Sequence, residues 1–432
     1  MREMKDSGIS WVGEIPKEWT IMPLYCFYSE RKNKNIFGAE NNLLSLSCGK
    51  VIRKDINTSE GLLPSNYNGY NIVEAGDIII RPTDLQNDKR SLRTGLSKER
   101  GIITSAYIAL KPKNGINSRF YHYLLHTYDI LKVFYNMGNG VRQGLNYDEF
   151  AKLMVYSPSD TEQQRIAEFL DRECGKIDGL KADIQAQIDT LEQYKRSVIT
   201  EAVTHGLNPS APMKGSGVDY IYKIKSDWRI TKIGFVCSKL TRGFSAEDPA
   251  LICSNNGSVM LRDEEKACGK MVSEDNAMQG IHIGDIAIHG MDTWHGAIGF
   301  SKIKGKITRV VHVCDSTEDK RFIVYYLKSL AYQNVYKLIS NGVRGNTSDF
   351  RSWDKVKDIY ICLPATKKEE NEICDYLDAQ CENIDMIIAD KKRKSKRLTA
   401  TKNRSFTNTL RAKRRSYEQH TFRKRISAVY HR

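Results

Sequence analysis

With 432 residues, 40% of them apolar, the chain has the length and apolar content for two or three cores of ordinary size. No apolar run reaches the ~20 residues that span a bilayer, and the opening MREMKDSGISW lacks a hydrophobic signal stretch, so a soluble, cytoplasmic protein with no membrane role is expected. The net charge of +15 points to an anionic partner, but residues 393–432 hold fourteen Lys/Arg against one acid, Glu418, which leaves only +2 for residues 1–392.

Residues 1–157 mix strand-like runs such as GDIIIRP with a helical stretch at 119–135, separated by Gly/Asn-rich loops, and predict a globular α/β module. From Ser159 the sequence SPSDTEQQRIAEFL offers a capping box, Ser159 with Glu162 three residues on, opening a spacer helix within 158–206. Leu170, Ile177, Leu180, Ile184, Leu191, Tyr194 and Val198 trace a heptad seam along it, with Gln187 as the polar exception. A helix over 161–203 is ~65 Å long at ~1.5 Å per residue, a length suited to a spacer. Residues 207–363 then repeat the module, and 364–392 restart the helix, with Leu377, Ile384 and Ile387 standing 207 residues after Leu170, Ile177 and Leu180.

The duplication is explicit in the letters. SGISWVGEIPKEW returns as SGVDYIYKIKSDW, VEAGDIII as IHIGDIAI, RFYHYLL as RFIVYYL, and EQQRIAEFLDRECGKID as EENEICDYLDAQCENID, in the same order at offsets of 202 to 209 residues. Two such units on one chain predict an α+β fold. Two similar α/β modules are separated by two long antiparallel helices in a pseudo-two-fold arrangement. The ten cysteines form no C-x-x-C pair, so neither a disulfide framework nor a zinc site is expected.

IPKEW, GDIII and GDIAI, TEQQRIAEFL entering a helix and LEQYKRSVITEAVTHG closing it closely resemble the specificity subunit of a type I restriction-modification system, over residues 1 to about 390. The resemblance implies that each module is a target recognition domain reading one half of a split double-stranded DNA site. It implies that the helices set the gap between half-sites and dock two methyltransferase (modification) subunits, with restriction/translocase subunits completing the complex. S-adenosylmethionine, ATP and Mg would then belong to the partner subunits, and this chain would hold no cofactor. In the second unit KKEENEI replaces TEQQRI, so Glu370 and Asn371 stand where Gln163 and Gln164 stand, and contacts through those glutamines are not expected to carry over.

The loops after the equivalent GD strands, RPTDLQNDKRSLRTGL and HGMDTWHGAIG, share little beyond Asp84 and Asp292, which is the divergence two different base-reading surfaces need. Arg81, Lys89, Arg90 and Arg93 are candidates for phosphate or guanine contacts, Gln86 and Asn87 for adenine, and His289, Trp294 and His295 are their counterparts. Taken singly, each is better explained as a solvated loop side chain. Arg142 and Gln143 in NGVRQGLN, and Arg344 and Asn346 in NGVRGNTS, recur in Gly-flanked turns whose amides suit phosphates. The chain carries neither an Asp/Asn-Pro-Pro-aromatic methylase motif nor a G-x-x-x-x-G-K-[ST] loop, so a non-catalytic subunit is expected. The competing reading is a stand-alone bipartite nucleic-acid-binding protein or nuclease using Asp248, Glu264 and Lys266. His282, His289, His295 and His312 lack ligand spacing, so no metal site is expected.

Beyond Asp390 the second helix loses its match to the first. Lys391, Lys394, Thr401 and Ser405 replace Ile184, Gln187, Tyr194 and Val198. Allowed codons for Lys394–Tyr417, read from the third base, spell IETIDSYKKSLIYEYVTGKKEVI, and nine of its first seventeen residues equal those of Ile188–Thr204. The sequence therefore predicts a frameshift near Lys391 and an aberrant, poorly ordered basic tail over 393–432.

Overall fold

The computed structural model describes residues 2–57, 66–85, 91–137, 144–262, 277–340 and 350–410. They divide into two compact units, one holding the chain up to Ile184 together with the chain from Lys392, the other Gln185–Lys391.

The first unit is built on a four-stranded antiparallel sheet. β1 (Tyr28–Glu30), β2 (Ile78–Ile80), β3 (Thr94–Leu96) and β4 (Ile108–Pro112) lie in the order β1-β4-β2-β3. The apolar run of GDIII makes β2 a strand buried on both faces. Ile78 and Ile80 face a large core with Phe120, Leu124 and Tyr128 of helix α1 (Ser118–Ile130). Ile79, on the opposite face, packs with Leu44, Val73, Ile103 and Ala109. Asn117 caps α1 by accepting from the Phe120 amide at 3.2 Å. The long helix α2 (Asp160–His205) enters this core through Ile166, Ala167, Leu170 and Cys174.

The second unit repeats the plan strand for strand. β5 (Cys237–Lys239), β6 (Ile286–His289), β7 (Ile298–Phe300) and β8 (Val311–Ser316) lie in the order β5-β8-β6-β7, again antiparallel. Ile286 and Ile288 join Phe322 and Tyr326 of helix α3 (Lys320–Tyr332), while Ala287 faces Leu251, Ile281 and Val313. The last helix, α4 (Lys367–Leu410), enters this core through Ile373, Cys374 and Leu377.

Several polar contacts recur in both units. Arg31 and Asp77 form an ion pair, as do Arg242 and Asp285, where Nε meets Oδ2 at 2.7 Å and Nη2 meets Oδ1 at 2.9 Å. The Asp of each GD motif is thus clamped by an arginine following the first strand, and it also accepts a backbone amide, from Glu74 at 2.9 Å or His282 at 2.8 Å. Tyr123 and Arg119 hold Asp171, and Tyr325 and Arg321 hold Asp378. Trp19 donates to Glu162 at 2.9 Å and Trp228 to Glu369 at 3.2 Å. Glu162 spends its carboxylate on Trp19 and Arg2, so the capping box predicted at Ser159 gives way to a tertiary contact, although the Ser159 carbonyl accepts from the Glu162 and Gln163 amides.

The helices run antiparallel within each unit. In the first, Lys402 meets Asp178 at 2.7 Å and Lys181 meets Thr399 at 2.8 Å; in the second, Lys195 meets Asp385 at 2.7 Å. The two Lys–Asp bridges are the same pair, 207 residues apart.

The predicted seam needs a correction of phase. Leu170, Ile177, Ile184, Leu377 and Ile384 are buried, but the second buried position falls one residue later than predicted, on Cys174, Ile188, Cys381 and Ile388; Lys181 and Lys195 occupy it in the other α2 heptads, and Val198 is half-buried beside buried Ile199. Tyr194 is 53% and Ile387 46% exposed, while Leu180 and Leu191 are half-buried. Ile188 fills the place assigned to Gln187, and the repeated Cys174 and Cys381 are seam residues. An offset of four residues lies on the same helical face as well as an offset of three does, and packing selects it here.

The tail is the larger correction. α4 continues through residues 393–410, where Leu398, Ser405, Phe406, Thr409 and Leu410 are buried in the first unit. Phe406 lies against Tyr123 and His126, with ring centroids at 5.5 and 5.2 Å, and the Tyr156 hydroxyl donates to the Leu410 carbonyl. Ser405 is accommodated because its hydroxyl returns to the Thr401 carbonyl at 3.0 Å, so the polar replacements do not prevent the helix. Residues 411–432 lie outside the described residues.

Candidate nucleic-acid interface

In each unit the GD strand delivers the chain into the loop where base-reading residues were expected. Arg81 and His289 occupy equivalent positions at its start, and each approaches an aspartate three residues on. Arg81 Nη2 lies 3.6 Å from Asp84, and His289 Nδ1 lies 3.3 Å from Asp292. The described segment that follows the NGVR motif is tied to this loop in both units. The Leu145 amide donates to the Pro82 carbonyl at 3.0 Å and the Phe350 amide to the Gly290 carbonyl at 3.1 Å. Gly290 permits the approach, since a Cβ there would sit 2.7 Å from the Phe350 oxygen. Behind each tether, Phe134 meets Phe150 and Tyr336 meets Phe350, at 5.2 and 5.4 Å between ring centroids.

The first-unit loop is held from inside by Arg93, which is 0% exposed. Its guanidinium donates to the carbonyls of Thr83 and Asp84, the latter at 2.7 Å, and lies 5.3 Å from the Tyr135 ring centre. Arg93 is therefore a brace for the loop, which corrects its assignment as a DNA contact. It also explains how Asp84 is kept at φ 55, a left-handed conformation costly for an L residue. Half-buried Arg81 remains at the loop entrance. Lys89, Arg90, Arg142, Gln143, Arg344 and Asn346, with Gln86 and Asn87, lie outside the described residues.

The second-unit loop has different chemistry. Burial pushes the His289 imidazole below its ordinary pKa, with Asp292 opposing, and its Nδ1 accepts from the Asp292 amide at 3.2 Å. With Nδ1 accepting, the 3.3 Å approach of the Asp292 carboxylate is a contact, not a hydrogen bond, and the proton resides on Nε2. Trp294 is half-buried against the core, with the Lys337 ammonium 4.6 Å from its ring centre and the His295 ring 4.2 Å away. It anchors a short turn, Thr293–His295, that leaves His295 exposed. Lys337 was not anticipated from sequence, and nothing in its neighbours would have singled it out. The Arg31–Asp77 and Arg242–Asp285 clamps were legible only as the Asp of a repeated GD.

Among the described residues no group of three His, Cys, Asp or Glu is placed to hold a metal ion. Of the nuclease trio, Asp248 accepts the Ser245 amide at 2.8 Å, while Glu264 and Lys266 lie outside the described residues. Among the described residues no helix is long and apolar enough to cross a membrane. Around these loops Arg81, Lys337, Trp294 and exposed His295 supply cations and planar rings, which suit phosphate and base contacts.

Residues 50–190 match the family described as the type I restriction modification DNA specificity domain. A solved structure concerned with complex assembly and conformational transition of the type I R-M system covers 92% of this chain and 98% of its own, at a TM-score of 0.59 and 11% identity. The HsdS subunit from Thermoanaerobacter tengcongensis (13% identity, TM-score 0.40, 92% of this chain and 97% of its own) and the S subunit of the type I system from M. genitalium (12%, 0.37, 91% and 96%) are also similar. No curated protein sequence matches the chain. Residues 50–190 thus match a type I restriction modification DNA specificity domain, and the second unit repeats the strand order and ion pairs of the unit that holds this match.

Proposed function

We propose that this chain is the DNA-targeting component of a type I restriction-modification complex and that each unit reads one half of a bipartite site. The observation that carries the reading is a shared frame with unlike loops. The Arg–Asp clamp and the loop tether recur in both units, while Arg81 and Asp84 in one loop correspond to His289 and Asp292 in the other, with Trp294 and His295 beyond. A common scaffold carrying different side chains is what an asymmetric split site requires.

In the same reading α2 and α4 set the gap between half-sites and dock two methyltransferase subunits. Exposed Tyr194, Met386 and Ile387, which lie off the seam, supply apolar surface for that docking. S-adenosylmethionine, ATP and Mg are assigned to the partner subunits, and chemistry on DNA to those partners. Replacing residues 1–157 with another recognition module is expected to change one half of the methylated site only. A change in both halves, or DNA cleavage or methylation by the isolated chain, would overturn the proposal in favour of a protein acting alone.

A further inference from the structure

The second half of α4 presents a stripe of positive charge with no counterpart on α2. Residues 391–410 contain eight Lys/Arg and no acid, whereas the equivalent residues 184–203 contain two Lys/Arg and three acids. At ~100° per residue the buried side chains Leu398, Ser405 and Thr409 lie on one side of the helix and Arg393, Lys396, Arg397 and Arg404 on the other. All four of these cations are exposed, and Lys402, on the inner side, is consumed by Asp178. The same positions on α2 carry Ala186, Asp189, Thr190 and Ser197, so the charge belongs to this helix and not to the repeated scaffold. Lys402 and the buried Phe406 and Leu410 fix the rotation of the helix and hold the stripe outward.

We propose that this stripe, built on Lys396, Arg397 and Arg404, grips the phosphate backbone of duplex DNA without reading its sequence. These three cations span ~12 Å from residue 396 to 404 at ~1.5 Å per residue, enough to engage two or three phosphates of one duplex. A protein partner fits the face less well, because only Ala400 interrupts the charge with an apolar group. The exposed apolar side chains Tyr194, Met386 and Ile387 belong to the other unit. The inference rests on the reading that this chain binds DNA, but not on which loop residues read bases. It also gives the basic segment a use whatever its origin in the gene.

The test is the full-length chain carrying Lys396→Gln, Arg397→Gln and Arg404→Gln together, compared with the unaltered chain on two fluorescent duplexes, one with the methylated target and one without. Anisotropy titrations across a salt series are expected to show weaker binding to both duplexes by a similar factor of at least ~10 at low salt, with the slope of log K against log salt shallower by ~2 to 3. Lys396→Arg is expected to keep full affinity. Unchanged slope and affinity, with the helix shown intact by circular dichroism, would overturn the inference while leaving site recognition standing. A variant that keeps its DNA slope but no longer co-purifies with a methyltransferase subunit would overturn it in favour of protein docking. If the unaltered chain bound neither duplex, both this inference and the reading of the modules would fall.

Discussion

Replacing Phe406 with alanine tests whether the basic segment is part of the folded molecule. Phe406 is 2% exposed and packed between Tyr123 (tilted) and His126 (edge-on), on a stretch of α4 whose other inward positions are mostly Ser, Lys and Thr. Truncating a buried phenylalanine costs ~3 to 5 kcal/mol, and the lower end applies where neighbouring inward positions are as sparsely apolar as Lys402, Ser405 and Thr409 make them. About 3 kcal/mol raises the local opening constant of the first unit about a hundredfold. Hydrogen exchange read by mass spectrometry suits the question, since a chain of two units has no single unfolding free energy. Protection in α1 and in residues 160–184 is expected to fall by that amount, and protection in β5 to β8 to stay unchanged. If α1 protection shifts by less than ~0.5 kcal/mol, residues 393–410 are a loose arm and the packing described above is wrong.

Arg31→Met is expected to destabilise the first unit by ~3 kcal/mol, because Asp77, whose burial already raises its pKa, is left as an uncompensated buried charge; protease sensitivity and hydrogen exchange would both report it. His126 is buried, and desolvation pushes its imidazole down to about 3. A group whose folded pKa lies below its unfolded value of ~6.5 binds more protons unfolded, so its contribution is intact above pH ~6.5 and is lost as pH falls from there toward 3. Asp129, pushed up to about 6 by burial, acts in the opposite sense, so the measurement is the difference between the parent chain and His126→Gln, whose loss of stability in mild acid is expected to be smaller. An identical acid profile for the two would remove His126 from the account. His295→Ala, exposed on the second-unit loop, is expected to relax one position of one half-site by ~1 to 3 kcal/mol; unaltered discrimination at every base would exclude it from the readout.

The duplication, the GD strands, the first long helix and the start of the second could be read from the letters, because each rests on local periodicity repeated at one offset. The seam phase could not, since Leu180 and Lys181, or Gln187 and Ile188, lie close enough on the helix for either to face the partner, and only packing decides. Arg93 looked like a DNA contact because basic residues in polar loops usually are solvated. Its burial depends on carbonyls nine and ten residues earlier in the chain, a folded-back geometry that no pattern of residue types reveals. The tail misled through composition. Its charge hid the sparse inward set of Leu398, Phe406 and Leu410, which is enough for a helix to dock when the rest of its face can be satisfied by Ser405 and Lys402.

The two halves of the helical pairing are not equally fastened. In the second unit α2 carries Ile188, Val198 and Ala202, whereas in the first unit α4 brings Ser395, Ser405 and Thr409 to the corresponding places, with Lys402 matching Lys195 and Phe406 matching Ile199. Local opening is therefore expected to be easier along residues 395–409 in the first unit, which proteolysis of the native chain would report. Replacing residues 395–411 with IETIDSYKKSLIYEYVT would put apolar side chains at positions 395 and 405 and is expected to tighten the first-unit pairing.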